Sequence, residues 1–142
     1  VIEFNARCGD PETQVLLARR RTPLGSLLRA AATGGLAQLG PLQWAPDAAV
    51  TVVVAAPGYP AAPELGGVVE GLEVAAEGAE VVVLHAGTAL DPQGRVVSTG
   101  GRVLSVVATG PDVATARDRA YGAVAHLRLD GSHHRTDIAA GI

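Results

Sequence analysis

The 142-residue chain has no lysine and no methionine, one cysteine, and an aromatic share of only 3%. All eleven of its basic side chains are arginine. Without lysine, Schiff-base chemistry and the phosphate-clamping lysine of a P-loop are excluded within this segment. Any lysine that grips nucleotide phosphates is expected upstream. A single cysteine, Cys8, excludes an internal disulfide and fits a reducing compartment. No base lies near it in sequence, so it reads as a small buried hydrophobe rather than a reactive thiol. With so few rings, the core must be built from Val, Leu and Ala. The net charge of -3 and the lack of a clustered positive stripe argue against a nucleic-acid surface. No apolar run approaches the ~18 residues of a membrane-spanning helix, and no targeting segment is recognisable.

What is present is an ordinary globular apolar fraction, 48%, in a length that holds one modest core or one small domain plus the tail of another. Residues 1–4 read as the end of a strand. Asp10 and Pro11 read as a helix cap and first turn, leading to a helix that ends in Arg19-Arg20-Arg21, where the charges complement the helix dipole. Thr22-Pro23 predicts a second start; Leu24, Leu27, Leu28 and Ala31 form its apolar stripe, and Gly34-Gly35 its stop. The Pro-rich stretch 40–46 places a domain boundary, giving units 1–42 and 43–142. Beyond it, β-branched runs at 50–55, 81–85, 95–98 and 102–108 read as strands buried on both faces, with Asp91-Pro92-Gln93-Gly94 as a tight turn. A last helix is expected over 112–127, with Val113, Ala116, Ala120, Val124 and Leu127 on one stripe, followed by a polar tail without periodicity.

The first fourteen residues carry the chemistry. Glu3 and Asn5 are two apart on the expected strand, so their side chains leave the same face. A carboxylate and an amide oxygen side by side suit a hard divalent cation such as Mg2+, although an ordinary polar pair has the same pattern. Arg7 continues that face if the strand persists, offering a guanidinium fork to phosphate or carboxylate, or else a salt bridge to Asp10 or Glu12. Gly9 permits close backbone approach. Gly100-Gly101-Arg102 delivers an arginine at a strand start, which suits an anion contact or a bulge with a surface charge. His85 ends a strand and reads as a ligand contact or a core histidine. His133 and His134, being adjacent, read as loop residues. The glycines Gly35 and Gly40 lack the Lys-Ser/Thr of a P-loop, and neither GxSxG, HExxH nor CxxC occurs.

The run Glu3-Phe4-Asn5-Ala6-Arg7 with Gly9-Asp10-Pro11-Glu12-Thr13-Gln14 closely resembles the signature of the phosphoribosylamine–glycine ligase (glycinamide ribonucleotide synthetase) family. The resemblance continues, in the family's order, through Gly58-Tyr59-Pro60, His85-Ala86-Gly87-Thr88, Gly100-Gly101-Arg102-Val103-Leu104, Ala116-Arg117 with Ala120-Tyr121, and Arg135-Thr136-Asp137-Ile138. It departs at Cys8, where the family usually has a large apolar residue, at Thr99 for Asn, at His134 for Tyr and at Ala139 for Gly.

The resemblance implies a cytoplasmic ATP-grasp enzyme of purine biosynthesis. ATP phosphorylates the glycine carboxylate, and the amine of 5-phosphoribosylamine attacks the acyl phosphate. It further implies an α+β fold: the tail of an ATP-grasp domain over 1–42, then a small β-rich domain over 43–142. That domain would be a curved, mostly antiparallel sheet or partial barrel with one packed helix. By the same resemblance, Glu3 and Asn5 would hold Mg2+ or Mn2+ on the ATP phosphates. Arg7 would be catalytic, and Arg7, Gly9, Asp10 and Arg102 would face substrate. Because the sequence opens at Val1 inside this signature, it is expected to be the carboxy-terminal piece of a larger ligase, inactive without its amino-terminal portion and apolar where that portion packs. The competing expectation is a non-catalytic module that packs on or closes over a nucleotide-binding partner.

Overall fold

The computed structural model describes residues 4 and 6–142; Val1, Ile2, Glu3 and Asn5 lie outside the described residues, and with them both expected metal ligands. The order of elements is α1 (Glu12–Arg19), α2 (Leu24–Thr33), a 3-10 turn at Leu36–Gln38, β1 (Ala48–Ala55), α3 (Leu72–Ala75), β2 (Val81–His85), β3 (Thr88–Leu90), β4 (Val96–Ser98), β5 (Arg102–Gly110) and α4 (Val113–Val124). This is a small α+β arrangement with antiparallel pairing throughout. One sheet has the order β1-β5-β2, and a separate hairpin pairs β3 with β4.

The central strand β5 sits between two antiparallel neighbours, which explains its unbroken apolar run: residues 103–108 are buried on both faces. The flanking strands differ. On β1 burial alternates, with Val50, Val52 and Val54 inward and Ala49, Thr51 and Val53 half-buried. Strand β2 is an edge, and Val82 and Leu84 are exposed, contrary to the expectation of burial on both faces. One side of the sheet packs Val50, Val52, Val54, Leu104, Val106 and Ala108 against Ala116, Ala120, Ala123 and Val124 of α4. Small alanines on the helix let its backbone approach the valine-covered sheet, which is how a core with so few rings closes.

The helix signals divide into those that act as caps and those that act elsewhere. Asp112 caps α4 by accepting a 2.7 Å bond from the Thr115 amide, and Gly34 ends α2 in the left-handed region at φ 73°. Asp10 does not cap α1. Thr22 does not cap α2 either; its hydroxyl accepts from the Gln43 amide at 2.8 Å. That bond belongs to a short ladder in which Arg19–Thr22 pairs with Gln43–Ala45 through Arg21 N to Gln43 O, 2.9 Å, and Ala45 N to Arg19 O, 2.6 Å. The arginine cluster therefore closes the base of an excursion that carries α2. Helix α2 buries only Ala30, which is not on the expected stripe; of that stripe Leu24 and Leu27 are half-buried, Ala31 is exposed and Leu28 is 59% exposed.

The aperiodic tail is held by side chains of α4. Tyr121 Oη donates to Arg135 O at 2.7 Å and accepts from Ile138 N at 3.1 Å. Arg117 Nε donates to Ile138 O at 3.0 Å and lies over the Tyr121 ring. The hairpin turn behaves as its residues dictate: Asp91 Oδ1 accepts from the amides of Gln93 and Arg95, and Gly94 takes φ 77°. No helix of the described residues is long and apolar enough to cross a membrane.

Candidate functional site

Phe4 and Ala6 belong to no strand, and Arg7 stands in a bend, so the expected strand does not persist to Arg7. Arg7 is exposed, and among the described residues it bonds only its neighbour's carbonyl, Cys8 O, at 3.3 Å; it pairs with neither Asp10 nor Glu12. Cys8 is exposed rather than buried, correcting the expectation of a core thiol. Gly9 is buried, and a Cβ there would run into the carboxylate of Glu12, which folds back over its backbone.

Asp10 is the node of the segment. Its Oδ1 accepts from Gln14 Nε2 at 2.7 Å, one helical turn on. Its Oδ2 lies 3.4 Å from Arg102 Nε, and its carbonyl accepts from Arg102 Nη1 at 2.9 Å. Two candidates 92 positions apart are brought into direct contact, and the carboxylate that was expected to cap a helix is used to join the chain's beginning to its central strand.

The mount of Arg102 is built from the remaining glycine motifs. Gly101 O accepts from Ala56 N at 2.8 Å, and Arg102 O accepts from Gly87 N at 2.9 Å. A Cβ on Gly87 would lie 2.7 Å from Gly100 Cα, and a Cβ on Gly101 would overlap the Tyr59 ring. The pairing of β1 with β5 shifts register between Val54 and Ala55, directly opposite. The irregularity falls at Val103, between Arg102 and Leu104, one residue beyond the Gly100-Gly101-Arg102 run where a bulge was one of the two expectations. His85 is an exposed strand end, with Nδ1 2.9 Å from Thr88 Oγ1, and not a core histidine. His133 joins the fold through its backbone, which bonds Ala55 in both directions at 2.8 and 3.0 Å.

Beside this node lies an open apolar cleft of about 520 Å3, lined by Cys8, Thr13, Gln14, Leu17, Val82 and Leu84 among others. Gln14 Oε1 points into buried space without a partner among the described residues. Gln14 and Tyr59 are the residues whose part sequence reasoning missed. The four-residue spacing from Asp10 to Gln14 was a usable signal, whereas nothing local to Tyr59 announces its contact with Gly101. Among the described residues no group of three His, Cys, Asp or Glu side chains gathers as a metal site. The two expected metal ligands, Glu3 and Asn5, lie outside the described residues; a carboxylate and an amide oxygen are donors of the hard kind that Mg2+ or Mn2+ takes.

The sequence profile described as "Phosphoribosylglycinamide synthetase, C domain" matches residues 49–141. A phosphoribosylamine–glycine ligase of Streptomyces coelicolor is 65% identical over 142 residues, covering 99% of this chain and 34% of the relative. The corresponding protein of Leifsonia xyli subsp. xyli is 56% identical over 141 residues, again 99% of this chain and 34% of the relative. The crystal structure of a phosphoribosylamine–glycine ligase from Thermotoga maritima superposes with a TM-score of 0.82 at 33% identity, covering 97% of this chain and 33% of that one. The chain therefore spans about a third of the length of these relatives.

Proposed function

Given that the chain belongs to the family of the phosphoribosylglycinamide synthetase C domain, we propose that it is the carboxy-terminal third of an ATP-dependent ligase that joins glycine to 5-phosphoribosylamine in purine biosynthesis. In this reading ATP converts the glycine carboxylate into an acyl phosphate, because a carboxylate oxygen is a poor leaving group until phosphorylated. The amine of 5-phosphoribosylamine then displaces phosphate, giving glycinamide ribonucleotide, with ADP and phosphate as the other products. The observation that carries the proposal is the 65% identity to a ligase over essentially the whole chain.

Residues 1–42 are assigned to the end of an ATP-grasp domain and 43–142 to the small domain that follows. Glu3 and Asn5 would hold Mg2+ or Mn2+, which when bound neutralises charge on the ATP phosphates. Arg7 would stabilise charge on the transferring phosphoryl group; its exposure and the lack of an ion pair to Asp10 or Glu12 support this. Gly9, which lines the apolar cleft together with Thr13 and Gln14 of α1, would face substrate. The phosphate-gripping lysine, absent here, is assigned to the amino-terminal portion of the same polypeptide. The isolated chain should then be inactive.

Substituting Glu3→Ala and Asn5→Ala in the full-length protein tests this. The catalytic reading requires a loss of rate of at least about a hundredfold, with weakened Mg2+-dependent ATP binding and unchanged thermal stability. The second reading, a packing module for a nucleotide-binding partner, is favoured by the mutual satisfaction of Asp10 and Arg102. It predicts lost stability with ATP binding intact.

A further inference from the structure

We infer that Arg102 is a positioning residue, not a substrate contact: it clamps Asp10 and thereby sets the aim of the segment that carries Glu3, Asn5 and Arg7. The inference rests on the proposed role of that segment in holding metal and phosphate.

The clamp has a rigid side and a side that needs rigidity. On the rigid side, Arg102 opens β5, whose next residues Val103 and Leu104 are 0% and 1% exposed. Its approach is fixed by backbone bonds to Ala56 and Gly87 and by the Tyr59 ring against Gly101. On the other side, residues 6–8 lie in no strand, and their bonds to other described residues are Ala6 N to Phe4 O at 3.0 Å and Arg7 to Cys8 O. Among the described residues, the first side-chain tie from this segment to the sheet is made at Asp10. There Arg102 takes two acceptors of one residue, the carbonyl at 2.9 Å and the carboxylate at 3.4 Å, while Gln14 takes the second carboxylate oxygen from α1. A guanidinium gripping both a carbonyl and a carboxylate fixes direction as well as place, which a single point charge does not. Asn5 lies five residues before this anchor, and misplacing a reacting group by about 1 Å costs on the order of a hundredfold in rate.

The two acceptors predict an asymmetry. Asp10→Asn keeps the carbonyl bond and an amide oxygen, whereas Arg102→Gln removes the fork from both. In the full-length ligase, Arg102→Gln should lower kcat about thirtyfold or more and raise the Mg2+ concentration for half-maximal rate several-fold, on the order expected for a displaced site. The KM for phosphoribosylamine should stay within about twofold. Asp10→Asn should move the same quantities in the same direction by less, and Arg102→Lys should recover part of the loss. A rise in the KM for phosphoribosylamine with an unchanged Mg2+ response would make Arg102 a substrate contact and overturn the inference.

Hydrogen exchange on the same proteins separates this from failure of the metal assignment. Arg102→Gln should speed exchange of amides 9–13 about tenfold while amides 103–108 keep their protection. Unchanged exchange at 9–13 rejects the clamp whatever the kinetics. If β5 itself loses protection, Asp10→Asn, which leaves β5 untouched, decides by the same amides. A Glu3→Gln variant with a normal Mg2+ response would reject the metal assignment alone.

Discussion

The ring of Tyr59 fills the space that a side chain on Gly101 would occupy. Gly101 precedes the arginine that meets Asp10, so this contact fixes where β5 begins. Gly101→Ala forces either the ring or the strand to move, and overpacking of this kind costs about 1–3 kcal/mol. Urea unfolding should show a lower midpoint with an unchanged slope. Gly100→Ala should cost less, because its nearest neighbour is the Cα of Gly87 at 3.3 Å rather than a ring. Equal losses at the two positions would show that Tyr59 is not the obstacle.

Ala139 adopts φ 55°, the only non-glycine residue with positive φ among the described residues. A Cβ in the left-handed region costs about 1 kcal/mol, which fits the expectation of glycine at this position. Ala139→Gly relieves this strain and enlarges unfolded-chain entropy, so the net expectation is a gain of a few tenths to about 1 kcal/mol. A loss of stability in a denaturant titration would mean that the Ala139 methyl, which packs against the core, outweighs the strain.

Sequence patterns announced the elements that carry their own signals. The α4 stripe, the Gly34 stop and the Asp91–Gly94 turn all act locally and stand where their residues predicted, although α4 ends at Val124 rather than 127 and its Asp112 cap had not been singled out. Errors arose where a polar side chain had two uses. Asp10 and Thr22 are good caps in isolation, yet each makes a tertiary bond instead, to Arg102 and to the Gln43 amide. The edge strand β2 was misread because an apolar run does not say whether a second strand or another part of a longer chain covers it. The Arg102–Asp10 contact crosses 92 positions and has no local signature, although both residues had been singled out separately. The tail had no period to read because single side chains of α4 hold it.

Tyr121 is the main fastening of that tail, donating to Arg135 O and accepting from Ile138 N. Tyr121→Phe keeps the ring under Arg117 and removes only the hydroxyl. The expected cost is about 1 kcal/mol, with two backbone groups losing their partner. Trypsin should cleave after Arg135 several-fold faster in the variant, while cleavage after Arg95 in the hairpin stays as it was. Equal cleavage rates after Arg135 would assign the fastening to Arg117 alone.

Asp112 gives the fold an acid-sensitive point. The backbone and side-chain hydrogen bonds of Thr115 hold its carboxyl below the usual carboxylate value of 3.8. A carboxylate whose folded value is depressed binds protons more weakly folded than unfolded. Its contribution is therefore complete above the ordinary value and is lost as the pH falls through the lower, folded one. Asp112→Asn retains a capping oxygen without a titrating charge. At pH 6 to 7 the native protein should melt above the Asn variant, and the gap should close on acidification below about pH 4. Thermal melts of both proteins from pH 7 to pH 3 measure this directly. A gap that stays constant across that range would show that the Thr115 amide bond does not distinguish charge from a neutral oxygen, and that the acid response of the fold lies elsewhere. Asp137, held low by its hydrogen bond from Arg135, would be the next residue to substitute.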